Sequence, residues 1–262
     1  MALDIDRFSH VESSLQRWDP RVKIFSLGLF IIAVSLLSSI PLAATALILA
    51  IVLLSKAQLP FHFVSHGVQF VSIFLLPIII IMPLTYPGEA AFHVLGIPFA
   101  WEGLRLSIAI VLKALAIVIT AYAIFGTSRF DVSMIALQRL KCPKIIVQML
   151  LFTYRYIFVF IAEMKRMDTA MGARGFVKKA NMYTLKVMGN FVGTLLVRSF
   201  ERTERIYKAM LSKGYQGEFH TLVTFESSSK DFSKAAIVIV ITLLLFTTDL
   251  LGPFPKAELA WY

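Results

Sequence analysis

Two short stretches of the sequence share a pattern. Residues 170–176 read Ala-Met-Gly-Ala-Arg-Gly-Phe and residues 209–215 read Ala-Met-Leu-Ser-Lys-Gly-Tyr, so Ala-Met-x-small-base-Gly-aromatic occurs twice. The triplets at issue are Ala173, Arg174, Gly175 and Ser212, Lys213, Gly214. A long basic side chain at a helix tip can enter a pocket as a single anchored charge, and a small residue before it lets a partner surface come close. The plainer reading is helix termination. Glycine just past a helix end accepts the left-handed conformation without a Cβ penalty, and a base in the last turn meets the negative end of the helix dipole. Termination leaves the Ala-Met pair, the small residue and the aromatic without a role, so residue types alone leave both readings open.

Other residues capable of chemistry are sparse. His62 and His66 stand four apart, a spacing that can turn two imidazoles toward one metal ion on a helix. Phe61, Phe63 and Val64 flank them and no third ligand lies near, so interfacial histidines are the simpler reading. His10, His93 and His220 are scattered. Lys113 falls within an apolar run, where a charge costs about 2.5–3.5 kcal/mol on insertion scales, so its ammonium must face protein or a polar cavity. No glycine is followed by lysine, which removes the phosphate-cradling loop of an ATPase. No Ser-His-Asp, Cys-His or paired-carboxylate arrangement suggests itself. Catalysis is not expected, and neither a cofactor nor a bound metal is implied. The stretch Gly-Glu-Ala-Ala-Phe-His-Val-Leu-Gly at 88–96 resembles the Glu-Ala-Ala loop of conventional ABC importer permeases, but its spacing to Gly96 is one residue too long.

These residues sit in a chain of 262, 58% hydrophobic with a mean hydropathy of +0.76, well above the roughly 45–50% apolar content of soluble domains. A membrane protein follows. Residues 128–234 hold 18 of the 26 Lys and Arg but 8 of the 16 Asp and Glu, and so carry the entire +10 charge. The aromatic residues lie on apolar runs, which speaks against nucleic acid; anionic lipid is a plausible secondary contact. Cys142 is the only cysteine, so no internal disulfide forms. The first twenty residues carry Asp4, Asp6, Glu12 and Asp19 and lack an apolar core, unlike a cleaved signal peptide.

Residues 24–55 contain no charge and exceed the roughly 17–25 residues of one spanning helix. Ser38-Ser39-Ile40-Pro41 breaks the run into spans at 22–40 and 41–57, with proline suited to the first turn of the second. A third span covers 67–86 and contains Pro77 and Pro83, tolerated where neighbours satisfy the freed carbonyls. The fourth and fifth cover 104–126 and 235–251. Arg17, Arg21 and Lys23 precede the first span, whereas the loop at 87–103 holds only Glu89 and Glu102. The positive-inside rule then puts the N-terminus and the basic segment in the cytoplasm and the tail after Leu251 outside.

Residues 145–162 are apolar nearly all round and could be a sixth span. Gln148, Arg155 and Arg166 fall close together on a helical wheel, and the helix runs on into charged residues at 163–168, so an interfacial helix is preferred. From 181 to 213 the pattern is amphipathic, with Met188, Val192, Leu195, Thr203, Ile206 and Met210 on one face. Arg198, Glu201, Arg205 and Lys208 occupy the other, and Glu201–Arg205 and Glu204–Lys208 are favourable i,i+4 pairs. The expected fold is an all-α polytopic membrane protein of about five transmembrane helices with a long cytoplasmic insert of two helices. Its parts are 1–127 (N-terminal segment and four spans), 128–234 (insert) and 235–262 (last span and tail).

The chain resembles the transmembrane T component of energy-coupling factor (ECF) transporters, ATP-driven micronutrient importers, and within them the cobalt-type CbiQ-like family. The resemblance covers nearly the full length. It rests on Leu-Gln-Arg-Trp-Asp-Pro-Arg-Val-Lys at 15–23, on the five-span layout with one cytoplasmic insert, and on the motifs of Ala-Arg-Gly type at 173–175 and 212–214. It implies a non-enzymatic coupling subunit in the plasma membrane, whose two insert helices dock on a pair of cytoplasmic ABC-type ATPase subunits. ATPase motions then pass to a substrate-binding membrane subunit, with Lys113 as a candidate contact to it. The resemblance assigns the docking charges to Arg174 and Lys213, the second departing from the family's arginine. The implied cargo is cobalt, with nickel close behind and a vitamin less favoured. A self-sufficient carrier with a midplane site around Lys113 is the alternative.

Overall fold

The computed structural model describes residues 13, 15–86, 90–94, 97–217, 225 and 228–251. Eight helices and one hairpin make up these residues: α1 (Pro20–Leu36), α2 (Ile40–Ala57), α3 (Phe61–Thr85), β1 (Ala90–Val94), β2 (Ile97–Ala100), α4 (Trp101–Phe125), α5 (Phe130–Arg139), α6 (Lys144–Ala173), α7 (Met182–Ser212) and α8 (Ser229–Leu251). The described residues divide into two compact units: 141–217 form one, and the described residues before 141 and after 217 form the other.

In the larger unit, α4 packs against α2 and α3, and α1 against α8 and α4. Small residues set these contacts. Ala43, Ala46, Ala50 and Ala57 of α2 and Ala116 and Ala123 of α4 are buried almost completely. Their spacings of three, four and seven keep each set on one helix face. Backbones can then approach closely, which is how helices gain contact where lipid offers no hydrophobic drive. At Gly67 of α3 a Cβ would meet the Tyr122 ring, with only 1.8 Å to its hydroxyl oxygen. Pro77 and Pro83 lie inside α3 without ending it.

Among the described residues, five helices are long and apolar enough to cross a membrane: α2, α3, α4, α6 and α8. The number agrees with expectation, but the membership differs. Helix α1 has 17 residues, the lower limit for a span, and α6 qualifies on length and composition. Two small elements were not anticipated. The antiparallel β1–β2 hairpin fills part of the 87–103 loop, and α5 opens what was read as the insert. The stretch at 88–96 falls partly outside the described residues, as do His10, His220, the acidic residues before Asp19 and the tail after Leu251.

The Leu15–Lys23 phrase is an anchor for α1. Leu15 and Trp18 are buried. Asp19 caps the helix by accepting from the Arg21 N–H at 2.9 Å, and the Arg21 guanidinium donates to both Asp19 oxygens at 3.2 and 2.7 Å. Lys23 is fully buried. Its Nζ donates to the Leu15 carbonyl at 3.3 Å, to Thr127 Oγ1 at 3.0 Å and to Ser128 Oγ, tying α1 to the end of α4.

In the smaller unit, α6 and α7 have 30 and 31 residues. Asn181 caps α7, accepting from the Thr184 N–H at 2.8 Å. Between 141 and 217 only Val147 and Phe191 are buried hydrophobics. On α7 the half-buried stripe runs through Met188, Phe191, Leu195, Ser199, Ile206 and Met210, while Val192 and Thr203 lie exposed. The expected face is therefore correct in four of its members and rotated by a fraction of a turn.

Candidate functional site

Helices α6 and α7 end in the same way. After α6 the Gly175 N–H bonds the Gly172 carbonyl at 2.9 Å and the Phe176 N–H bonds the Met171 carbonyl at 3.1 Å. After α7 the Gly214 N–H bonds Leu211 at 3.0 Å and the Tyr215 N–H bonds Met210 at 3.0 Å. Gly175 and Gly214 have φ of 77° and 82°. Both ends are Schellman motifs, in which the residue after the left-handed glycine and the methionine five before it commonly share an apolar contact. Met171, Phe176, Met210 and Tyr215 are accordingly half-buried in an otherwise exposed run.

This corrects one step of the sequence reading. The methionine and the aromatic belong to helix termination after all. The cap's backbone bonds make no use of the side chains of the small residue and the base: Ala173 with Arg174, and Ser212, whose hydroxyl donates to the Lys208 and Ala209 carbonyls at 3.1 Å, with Lys213. All four are exposed. Neither Arg174 nor Lys213 has a side-chain partner among the described residues.

The segments behind the tips are fastened. Gln148, near the start of α6, donates to the Gly217 carbonyl at 2.9 Å and accepts from the Tyr215 hydroxyl at 3.2 Å. Glu163 of α6 takes Arg198 of α7 and also Arg166, the latter at 3.8 Å. Lys178 pairs with Asp168 at 2.8 Å. The pairings Gln148 to Tyr215 and Glu163 to Arg198 run in opposite senses along the two helices, so α6 and α7 are antiparallel. Lys213 therefore sits beside the first turns of α6 and Arg174 at its far end. With 1.5 Å per residue from 148 to 174, the two bases are about 40 Å apart. Of the two expected i,i+4 pairs, Glu204–Lys208 forms at 2.7 Å, whereas Arg205 donates to the Glu201 backbone carbonyl at 3.4 Å.

Lys113 of α4 donates to the Ser35 carbonyl in the last turn of α1 at 3.4 Å. Sequence reasoning passed over its neighbour. Asp249, in the last turn of α8, is 9% exposed. Its carboxylate accepts from the Ser38 N–H at 2.9 Å, the Ser39 N–H at 3.0 Å and Ser39 Oγ at 2.7 Å. Ser39 precedes α2 without capping it through its own side chain, so α8 supplies the cap. Its only signal in the sequence was an acidic residue in an apolar run. His62 and His66 are exposed, and no group of three potential metal ligands assembles among the described residues.

Comparison with known proteins places this geometry in context. Residues 11–223 match the family model described as "CbiQ: Cobalt transport protein". The energy-coupling factor transporter transmembrane protein EcfT of Heliobacterium modesticaldum is 28% identical over 262 aligned residues, covering 93% of this chain and 96% of that protein. EcfT of Bacillus subtilis is 27% identical, covering 89% and 93%. The cobalt transport protein CbiQ of Rhodobacter capsulatus is 27% identical over 135 residues, 51% of this chain and 54% of its own length.

Proposed function

The chain belongs to the CbiQ cobalt transport protein family, and from that premise we propose that it is the coupling subunit of an ATP-driven importer of energy-coupling factor type. The chain is a multi-pass membrane transport component, and it is not itself the ATPase, since the phosphate-binding loop is missing from the sequence. The finer reading is that Arg174 and Lys213 dock on two copies of a cytoplasmic ABC-type ATPase subunit. The observation that carries it is the pair of identical helix ends about 40 Å apart, each presenting an exposed base behind a small residue. Side chains that far apart cannot share one pocket, whereas a two-fold ATPase pair offers the same pocket twice. Their support is asymmetric, because arginine offers a planar fork to a carboxylate and lysine a single point charge.

In this reading the N-terminus, α6 and α7 lie on the cytoplasmic side of the plasma membrane. ATP-driven motion of the docked tips passes through the helices to a substrate-binding membrane subunit. Two helices that bury only Val147 and Phe191 require cover from outside themselves, which supports such partners. Cobalt is the proposed cargo, with nickel next, from the family and from the relative named for cobalt transport.

The test uses the chain co-expressed with the ATPase and small membrane proteins encoded beside it. An Arg174→Ala, Lys213→Ala variant should lose ATPase binding and cobalt uptake, since removing one partner of a buried charge pair costs about 2–5 kcal/mol. Undiminished binding and uptake would refute the docking assignment. Uptake by this chain alone in vesicles without any ATPase would favour a carrier built around Lys113.

A further inference from the structure

Helices α1, α2 and α8 leave between them a cavity of about 220 Å³. Its walls are apolar, with Leu49, Leu53 and Val238 among them, and its polar residues gather at one end: Trp18, Lys56 and Lys234. Trp18 immediately precedes the cap of α1, Lys56 lies in the last turn of α2 and Lys234 in the second turn of α8, so three elements bring their same-side ends together. Trp18 is 3% exposed, and its indole N–H has no acceptor among the described residues. A buried indole N–H ordinarily finds one. Lys234 stands 4.0 Å from Asp231, and with Lys56 it brings two ammonium groups to this end of the cavity.

The slot has direction. From Lys56 to Leu49 and from Lys234 to Ile241 the walls run seven residues, about 10 Å of helix. Val52 and Ile237 on its rim are exposed, so it opens on the flank that bilayer chains would cover. Hydrocarbon walls ending in two cations and an unused donor fit one kind of molecule: an amphiphile whose head is anionic and accepts hydrogen bonds.

We propose that this groove binds an anionic phospholipid of the bilayer. The phosphate lies between Lys56 and Lys234 and accepts from Trp18 Nε1, and the start of an acyl chain runs between α2 and α8. A zwitterionic headgroup brings a cation that the two lysines repel, and a soluble anion would leave the apolar walls unfilled. Basic pockets between helices at the cytoplasmic face are suited to such headgroups, and the side is the one on which the basic residues before α1 place this cluster.

Brominated acyl chains quench tryptophan on contact. The full chain with Trp101→Phe and Trp261→Phe retains Trp18 alone and is reconstituted with brominated phosphatidylglycerol or brominated phosphatidylcholine in an otherwise unbrominated phosphatidylcholine bilayer. Phosphatidylglycerol should half-quench Trp18 at a mole fraction about thirtyfold lower, the factor expected of two lysines near an anionic head. Lys56→Gln alone should cut that preference about fivefold. Lys56→Gln with Lys234→Gln should abolish it while leaving quenching by phosphatidylcholine unchanged, and Lys56→Arg with Lys234→Arg should keep it. Equal quenching by the two lipids, no quenching by either, or a preference that survives the double Gln variant would each overturn the proposal.

Discussion

Asp249 gives the sharpest test of the membrane unit. Its carboxylate takes three hydrogen bonds from Ser38 and Ser39, and Ser39 is fully buried. Bonds to a charged acceptor contribute about 1.5–3 kcal/mol each, and a buried donor left alone costs about 1–3 kcal/mol. The three are not additive, because Ser38 is only half-buried and can turn to water. Asp249→Ala should therefore cost about 3–5 kcal/mol, in line with other broken buried charge networks. Asp249→Asn keeps one oxygen acceptor and should cost about 1–2 kcal/mol. At about 2–4 °C per kcal/mol for a chain of this size, the melting midpoint should fall by roughly 6–20 °C and 2–8 °C respectively. The assay is thermal unfolding of the purified chain in one fixed detergent. Ser39→Ala combined with Asp249→Ala should cost less than the sum of the singles, since both remove the same 2.7 Å bond. A melting curve for Asp249→Ala within about 2 °C of wild type, or strict additivity with Ser39→Ala, would refute the idea that α8 caps α2.

Three further outcomes follow from the same geometry. Gly67→Ala drives a methyl into Tyr122, which Phe63 also holds edge-on at 5.6 Å, and should destabilise by about 1–3 kcal/mol; Tyr122→Leu should restore part of the loss in the same melting assay. Gln148→Leu removes two bonds that hold the end of α7, so trypsin should cleave after Lys213 faster than in wild type, with cleavage after Arg174 unchanged. Burial raises the Asp19 carboxyl, but the Arg21 hydrogen bonds and charge outweigh it and hold it below its ordinary value of 3.8. That stabilisation is present above 3.8 and lost as the pH falls through the lower folded value. The melting gap between wild type and Asp19→Asn should accordingly be open at neutral pH and close in acid.

Long-range order in this chain was legible wherever one residue type repeats. Apolar runs marked α2, α3, α4 and α8, and the basic-glycine pairs marked the ends of α6 and α7 to within a residue. The burial of a charge at the start of α1 was not legible. The charge-free run gives a first span at 22–40, whereas α1 runs Pro20–Leu36 and Lys23 is buried because Leu15, Thr127 and Ser128 satisfy it, and Thr127 and Ser128 lie more than a hundred residues away. Asp249 illustrates the same limit, since its partners precede it by 210 and 211 residues. Short elements such as α5 and the β1–β2 hairpin carry too few residues for a period to emerge. At the tips, the aromatic and the methionine found their explanation only when the backbone bonds of the Schellman motif were seen. That finding narrows the functional signal to Ala173-Arg174 and Ser212-Lys213.

Whether those two bases meet two ATPase subunits is a question of contact, and contact can be read covalently. A photoactivatable amino acid placed at Val177 or at Gln216, each exposed and three residues past its base, one at a time, is illuminated in membranes that also hold the neighbouring ATPase subunits. Each position should yield an adduct of this chain with one ATPase subunit, the yield at 216 depending more strongly on salt because the lone ammonium of Lys213 is the weaker partner. Adducts with lipid alone, or with the ATPase at neither position, would contradict the assignment of Arg174 and Lys213 as docking tips.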